Sequence, residues 1–337
     1  MYKKQVIEIN NDLKRTKKAI ISLGCSFVQG QGAVNDELYN DYTWKNIDIG
    51  SPLKIQIDNK QQKELLTKYK NLGIAFDSID FTFMEYDNAF VNVLCKKYFD
   101  RKYTPINLGL RGCGNRATIK ELYFYPSFNW NELDEIIVIY CPSGPERFDF
   151  INDQYNDRHH DHFRWICMWP NKDQSNNASR AKLWDGYAET LWSDKFQVYE
   201  QIAHVQELLS WCKLHNAKLI ITPGFDRRYD KEYFNSSLKS IVIRNGEEYI
   251  KEKMDYNDSI SEYLHLFPWD NMFYPEGYKT FADLIMSKDL DLEDKQDYFF
   301  QFLGKGSPNM WVTPCAHPSA KAHDYFAKTL FNHIENL

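Results

Sequence analysis

The run Glu135-Ile136-Ile137-Val138-Ile139-Tyr140 constrains this chain most. Five apolar residues in succession leave no polar face. A strand half-exposed to water alternates apolar and polar side chains, whereas a strand covered on both sides reads as a continuous apolar run. The segment therefore predicts a central strand of a parallel sheet. It stops at Cys141-Pro142-Ser143-Gly144-Pro145, where proline and glycine break regular structure. Similar short runs occur at Ala19 to Leu23, Pro105 to Gly109 and Ala217 to Pro223. Between them lie segments with helical spacing: Asn88 to Tyr98, Ala117 to Tyr123 and Lys195 to His215, with Ala320 to Leu337 closing the chain. In Lys195 to His215, residues Ile202, Val205, Leu208, Leu209 and Cys212 form one stripe. Strands alternating with helices at this spacing predict an α/β fold with a parallel sheet and helices on both faces. Residues 1–18 are polar and read as a solvated lead-in. Trp311 to His317 reads as the last strand and its loop.

The length, 337 residues, suits one α/β domain, 1–337, with insertions at 33–84, 151–190 and 227–310. Lys60 to Leu66 reads as a helix inside the first of these. The formal net charge of −6 argues against nucleic acid as the main partner. No apolar run approaches the ~20 residues a membrane span needs. The first residues lack the apolar core of a signal peptide, and seven cysteines without paired spacing read as reduced thiols. Cytoplasmic synthesis is the expectation. Aromatic residues reach 16%, and many fall in the insertions, which suits sugar rings or a protein partner.

At the end of the first strand stands Gly24-Cys25-Ser26-Phe27-Val28-Gln29-Gly30. A strand that ends in a glycine-flanked serine presents a hydroxyl at the carboxyl edge of its sheet. The residues after it can start a helix, whose free N–H groups favour negative charge. Loops at the carboxyl ends of parallel strands converge. Here they carry Ser26, Gly112-Cys113-Gly114-Asn115, Ser143-Gly144 with Arg147, and His317. Serine is a weak nucleophile unless a base takes its proton, and histidine does this well near neutral pH. A tetrahedral intermediate needs donors, which backbone N–H groups of a glycine-rich turn and an Asn amide supply. The parts for acyl transfer are thus present.

These residues resemble the SGNH (GDSL-like) hydrolases. Gly24 to Gly30 is similar to the family's first block, in the Gly-Cys-Ser-Phe form common in bacteriophage genomes. Asn107-Leu108-Gly109-Leu110-Arg111-Gly112-Cys113-Gly114-Asn115 resembles the second block. Cys315-Ala316-His317-Pro318-Ser319-Ala320-Lys321-Ala322-His323 resembles the last, in which His-Pro precedes the closing helix. The resemblance implies a flavodoxin-like three-layer α/β/α sandwich and a serine esterase. Ser26 would be the nucleophile and His317 the base, with Gly112 and the Ser26 N–H in the oxyanion hole. An O-acetyl group on a carbohydrate is a candidate ester, a glycan ester or small molecule the expected partner, and no cofactor or metal is expected. The resemblance does not separate a hydrolase from an acyltransferase of the same type.

Two blocks depart from the family. Its third block, Gly-x-Asn-Asp, corresponds here to Tyr140-Cys141-Pro142-Ser143, without Asn; Asn115 is the candidate replacement. Its last block carries Asp three residues before the His, where this chain has Pro314. His317 would then be held by a backbone carbonyl or by another acid, for which Asp226 is the candidate. The competing reading is an SGNH-type module with a weak or inactive site that binds glycans or serves in a virion with an assembly partner. Arg147 could bind a substrate carboxylate or sugar, or make a structural ion pair. Cys25, Cys113, Cys141 and Cys315 all fall in the convergent loops; small apolar filling is the expectation, and a zinc or redox cluster the alternative. His159-His160-Asp161-His162 reads as solvated. His323 reads as structural, and His204, His215, His265 and His333 as ordinary helix-face or surface residues.

Overall fold

The computed structural model describes residues 3–30, 33, 81–110, 112–124, 128–144, 147–151, 165–168, 194–225, 229, 241–244, 247–250, 263, 265–289, 306–307, 309–313 and 317–337. Helix α1 (Lys3–Thr16) leads into β1 (Lys18–Gly24), which ends at the short helix α2 (Ser26–Gln29). Helices α3 (Phe81–Asn88) and α4 (Phe90–Val93) and a π-turn (Leu94–Tyr98) precede β2 (Thr104–Asn107). Helix α5 (Asn115–Phe124) then leads to β3 (Glu135–Cys141). A hairpin of β4 (Phe148–Ile151) and β5 (Trp165–Met168) follows, then α6 (Asp194–Leu214) and β6 (Lys218–Ile221). A second hairpin, β7 (Ile241–Arg244) and β8 (Glu247–Ile250), precedes α7 (Phe281–Asp289) and α8 (Ala320–Ile334).

Four strands form one parallel sheet in the order β2-β1-β3-β6. All four carboxyl ends therefore lie on one edge. Ser22 pairs with Asn107, Gly24 with Cys141, and Tyr140 with Ile221, so the loops after these strands start level with one another.

The continuous apolar run of β3 behaves as its pattern requires. Ile136, Val138 and Tyr140 join a core with α1, α5 and α6, whereas Ile137, Ile139 and Cys141 join a separate core with α4, α7 and α8. Helices thus cover both faces. Phe326, Ala327 and Leu330 of α8 are fully buried. Each large side chain of this kind contributes about 1.5–3 kcal/mol when buried, so α8 is a principal source of stability as well as the element that follows His317.

Three elements differ from expectation. The polar N-terminal stretch is helical over Lys3–Thr16, and its Ile9 and Leu13 are buried against the sheet. Two apolar residues spaced i, i+4 dock one face of a helix, and Glu8, Asn11, Asp12, Lys14 and Arg15 stay exposed. Among the described residues, Trp311 to Thr313 and His317 form no sheet strand: Val312 makes an antiparallel bridge to Pro318, just before α8. The position beside β6 is taken by Met272, which bridges in parallel to Ile221, with Phe273 N–H donating to the Ile221 carbonyl at 2.8 Å. Within the stretch read as the third insertion, Phe281, Leu284, Ile285 and Met286 of α7 are core residues. The segment Lys60 to Leu66 lies outside the described residues.

Gly24 is where β1 must stop. It has φ +155°, and a β-carbon there would run into Val28 Cγ2 and lie 2.6 Å from the Cys141 carbonyl oxygen. The neighbouring strand's backbone cannot yield without breaking the β1–β3 register. Gly24→Ala therefore destabilises the fold by roughly 2–4 kcal/mol, read as a lowered midpoint in urea unfolding. A change below about 0.5 kcal/mol, the range of surface substitutions, would refute this.

Candidate active site

Ser26 is the first residue of α2, directly beyond the end of β1. Its neighbours hold the turn from three sides. Leu110 N–H donates to the Gly24 carbonyl at 2.8 Å, which ties the loop after β2 to the end of β1. The buried Asn107 amide donates to the Val28 carbonyl at 3.1 Å and the Gln29 carbonyl at 3.4 Å, and so satisfies the end of α2. Gly30 closes α2 in the left-handed region, φ +91°, and donates to the Ser26 carbonyl at 3.2 Å. Ser26 is only partly covered.

His317 arrives from the far end of the chain. Thr313 N–H donates to the His317 carbonyl at 2.8 Å, and His317 N–H to Thr313 Oγ1 at 3.4 Å. Ser319 Oγ caps α8 by accepting from Ala322 N–H at 3.2 Å. This short bridge fixes the imidazole between capped helix and loop. His317 Nε2 lies 2.9 Å from Ser26 Oγ, across 291 residues of sequence. For Nε2 to accept the serine proton, Nδ1 must carry the ring hydrogen. The imidazole also lies 5.5 Å, centroid to centroid, from the Phe27 ring, which in turn lies 5.1 Å from Phe225. Arg147 lies over Phe225 at 5.3 Å and donates from Nη1 to the Cys113 carbonyl at 3.0 Å.

Gly112 takes φ +67°, the left-handed conformation that suits glycine, at the turn after β2. Asn115 is buried, and its side chain ties the loop after β3 to α6. Its Oδ1 accepts from Ser143 N–H at 2.7 Å, and its Nδ2 faces the Ser143 carbonyl, Gln201 Oε1 and Tyr229 Oη at 2.9, 2.6 and 2.7 Å. Tyr229 also donates to the Ser143 carbonyl at 2.9 Å. The amide expected near an oxyanion is thus engaged in a buried network that shapes the Ser143 loop. Asp226 and the residues 314–316, which include Pro314 and Cys315, lie outside the described residues, as do His159 to His162.

The cysteines Cys25, Cys113 and Cys141 are buried free thiols around this turn. Burial pushes the thiols of Cys113 and Cys141 well above the ordinary value, so both stay protonated. Among the described residues, no group of three or more His, Cys, Asp or Glu is placed to hold a metal ion. His204 is mostly buried rather than an open helix-face residue, and desolvation lowers its pKa to about 4. His333 stacks on Phe273 at 4.3 Å.

Sequence reasoning passed over Asp149. Its buried carboxylate accepts from Gly114 N–H at 2.7 Å and Ala117 N–H at 3.0 Å, at the start of α5. The only sequence signal was a lone acidic residue amid the aromatics of β4, and its target lies more than 30 residues earlier. No family model matches the chain, and neither a curated protein nor a solved structure does. The geometry of the site is therefore the ground for its function.

Proposed function

We propose that this chain is a serine esterase of SGNH type, with a flavodoxin-like α/β/α architecture and His317 acting as base on Ser26. The observation that carries the reading is the 2.9 Å approach of His317 Nε2 to Ser26 Oγ at the carboxyl edge of a parallel sheet. The order β2-β1-β3-β6, extended by the bridge at Met272, supports the architecture. In flavodoxin-like sheets the strand order reverses between the first and third strands, and ligands bind in the crevice outside their carboxyl ends. Ser26 follows β1 and Ser143 follows β3, so both flank that crevice.

In the proposed reaction the Ser26 proton passes to His317 Nε2 as Oγ attacks the ester carbonyl carbon. Negative charge collects on the carbonyl oxygen, where the N–H groups of Gly112 and Ser26 would receive it. Collapse expels the alcohol with the proton from His317. Water then attacks the acyl-Ser26 ester with the same histidine as base, and the serine is restored. An O-acetylated carbohydrate is our candidate substrate, on the aromatic content of the chain, and Arg147 beside Phe225 is the candidate substrate contact.

The competing reading, a glycan-binding or virion module on the same fold, draws on one observation: the Asn115 amide is held in the Ser143 network, away from the role of third oxyanion donor. Intact mass after treatment with an organofluorophosphonate decides between them. We expect one adduct per chain, with fluoride displaced from phosphorus by Ser26 Oγ, on wild type and none on Ser26→Ala. Folded wild type without an adduct would overturn the esterase.

A further inference from the structure

We infer that Asp149 is a positioning residue for the oxyanion turn, acting with Arg147 as a clamp on one peptide unit. The Cys113 carbonyl and the Gly114 N–H belong to the same peptide. Arg147 Nη1 donates to that carbonyl at 3.0 Å, and Asp149 Oδ1 accepts from that N–H at 2.7 Å. A cation grips one end of the peptide dipole and an anion the other. Ser143 Oγ adds a longer bond to the same carbonyl, 3.4 Å.

The clamp answers a specific weakness. Gly112 and Gly114 flank Cys113, and glycine permits peptide orientations that other residues resist. A turn built this way can rotate its peptides unless something holds them. Asp149 Oδ2 takes a second bond, from Ala117 N–H at 3.0 Å, so the carboxylate also satisfies the first turn of α5, where the helix dipole favours negative charge. The fit leaves no slack: a β-carbon on Gly114 would lie 2.7 Å from Asp149 Oδ2 and 3.0 Å from Arg147 Cβ. At its other end the turn is tied to β1 through Leu110 N–H and the Gly24 carbonyl. Holding the Cys113–Gly114 peptide on one side and Leu110 on the other restrains the turn that carries Gly112, whose N–H the proposed reaction uses. Charge-assisted bonds to a buried carboxylate are about twice as strong as neutral ones, which suits a part that must not move as charge develops.

This inference rests on Ser26 as the nucleophile, so the wild type is measured first. The rate of fluorophosphonate labelling is followed from pH 5 to 9 for wild type and Asp149→Asn. An Asn keeps one acceptor but turns two N–H donors toward the backbone N–H on the other side. We expect the plateau rate to fall about 10- to 100-fold, within the range seen when an oxyanion donor is lost or displaced. The midpoint of the pH profile, set by His317, should stay in place. A structural lesion at large would move both or neither. Asp149→Asn labelled at the wild-type plateau, or with a moved midpoint and an unchanged plateau, would overturn the clamp while leaving the esterase intact. No adduct on the wild type would overturn both. Should Asp149→Asn fail to fold, Arg147→Gln, which removes the other jaw, must give the same lowered plateau at constant midpoint.

Discussion

His317→Ala lowers the rate of serine labelling, and of any ester turnover, by about 10³- to 10⁴-fold while leaving the protein folded. The magnitude follows from the role. Without a base at 2.9 Å from Ser26 Oγ, the hydroxyl must lose its proton to water, and serine hydrolases that lose a catalytic group fall by factors of this size or more. His317 is partly buried, and its backbone is held by Thr313 N–H and Thr313 Oγ1, ahead of the cap at Ser319. Its removal therefore costs little packing. Labelling rates on wild type and His317→Ala at pH 8 provide the check. Equal rates would mean that the imidazole is a neighbour of Ser26 and no more.

The second large effect concerns stability rather than chemistry. His323 is fully buried in α8, stacked on Phe90, and its Nδ1 accepts the Phe90 N–H at 3.2 Å. The ring hydrogen therefore sits on Nε2, which has no hydrogen-bond partner among the described residues. Protonation would place a second hydrogen on Nδ1, pointing at an N–H donor, and would bury a charge beside His317. Desolvation, with the charge of His317 adding to it, lowers the pKa to about 3. In the unfolded chain the same ring titrates near 6.5.

The sign follows from this depression. The contribution to stability is complete above pH 6.5 and is lost as pH falls toward 3, at up to about 1.4 kcal/mol per pH unit. Between pH 7 and 4.5 the loss from this one residue comes to roughly 2–3 kcal/mol. Other groups titrate over the same range, so the quantity to measure is a difference. His323→Leu, which cannot protonate, should be less stable than wild type at pH 7.5, because the Phe90 N–H loses its acceptor. The gap should narrow steadily on acidification, and may be followed by urea unfolding at half-unit steps. A gap that stays constant from pH 7.5 to 4.5 would show that His323 does not titrate on unfolding.

β1, β3 and β6 were legible as short apolar runs that stop at glycine or proline, whereas β2, with Thr104 and Asn107 at its ends, shows only Ile106 and its place before a glycine-rich turn. The helices with wide apolar stripes were legible too. Helix α1 was not, since among the described residues only Ile9 and Leu13 of it join the core, with exposed Asn11, Asp12 and Lys14 beside them. The bridge from Met272 to Ile221 beside β6 was not read from the sequence, because a single bridge leaves almost no periodic signal. At the site, Ser26 could be placed from its position at the end of β1, and His317 from the His-Pro pair before the closing helix. Asn115 was read as an oxyanion donor and Asp149 not at all, because the backbone groups they bind, at Ser143, Gly114 and Ala117, take their direction only in the folded loops. A side chain that binds a carbonyl or an N–H leaves no complementary residue in the sequence to betray it.

The two reacting groups stand 291 residues apart, and the helix that follows His317 also fills one of the two cores. A growing chain on the ribosome has made Ser26 and most of the sheet long before His317 exists. On the proposed esterase reading, the hydroxyl has no base until His317 is in place, and that placement is tied to the packing of α8 into its core. On the same reading, loss of α8 from its core would separate His317 from Ser26.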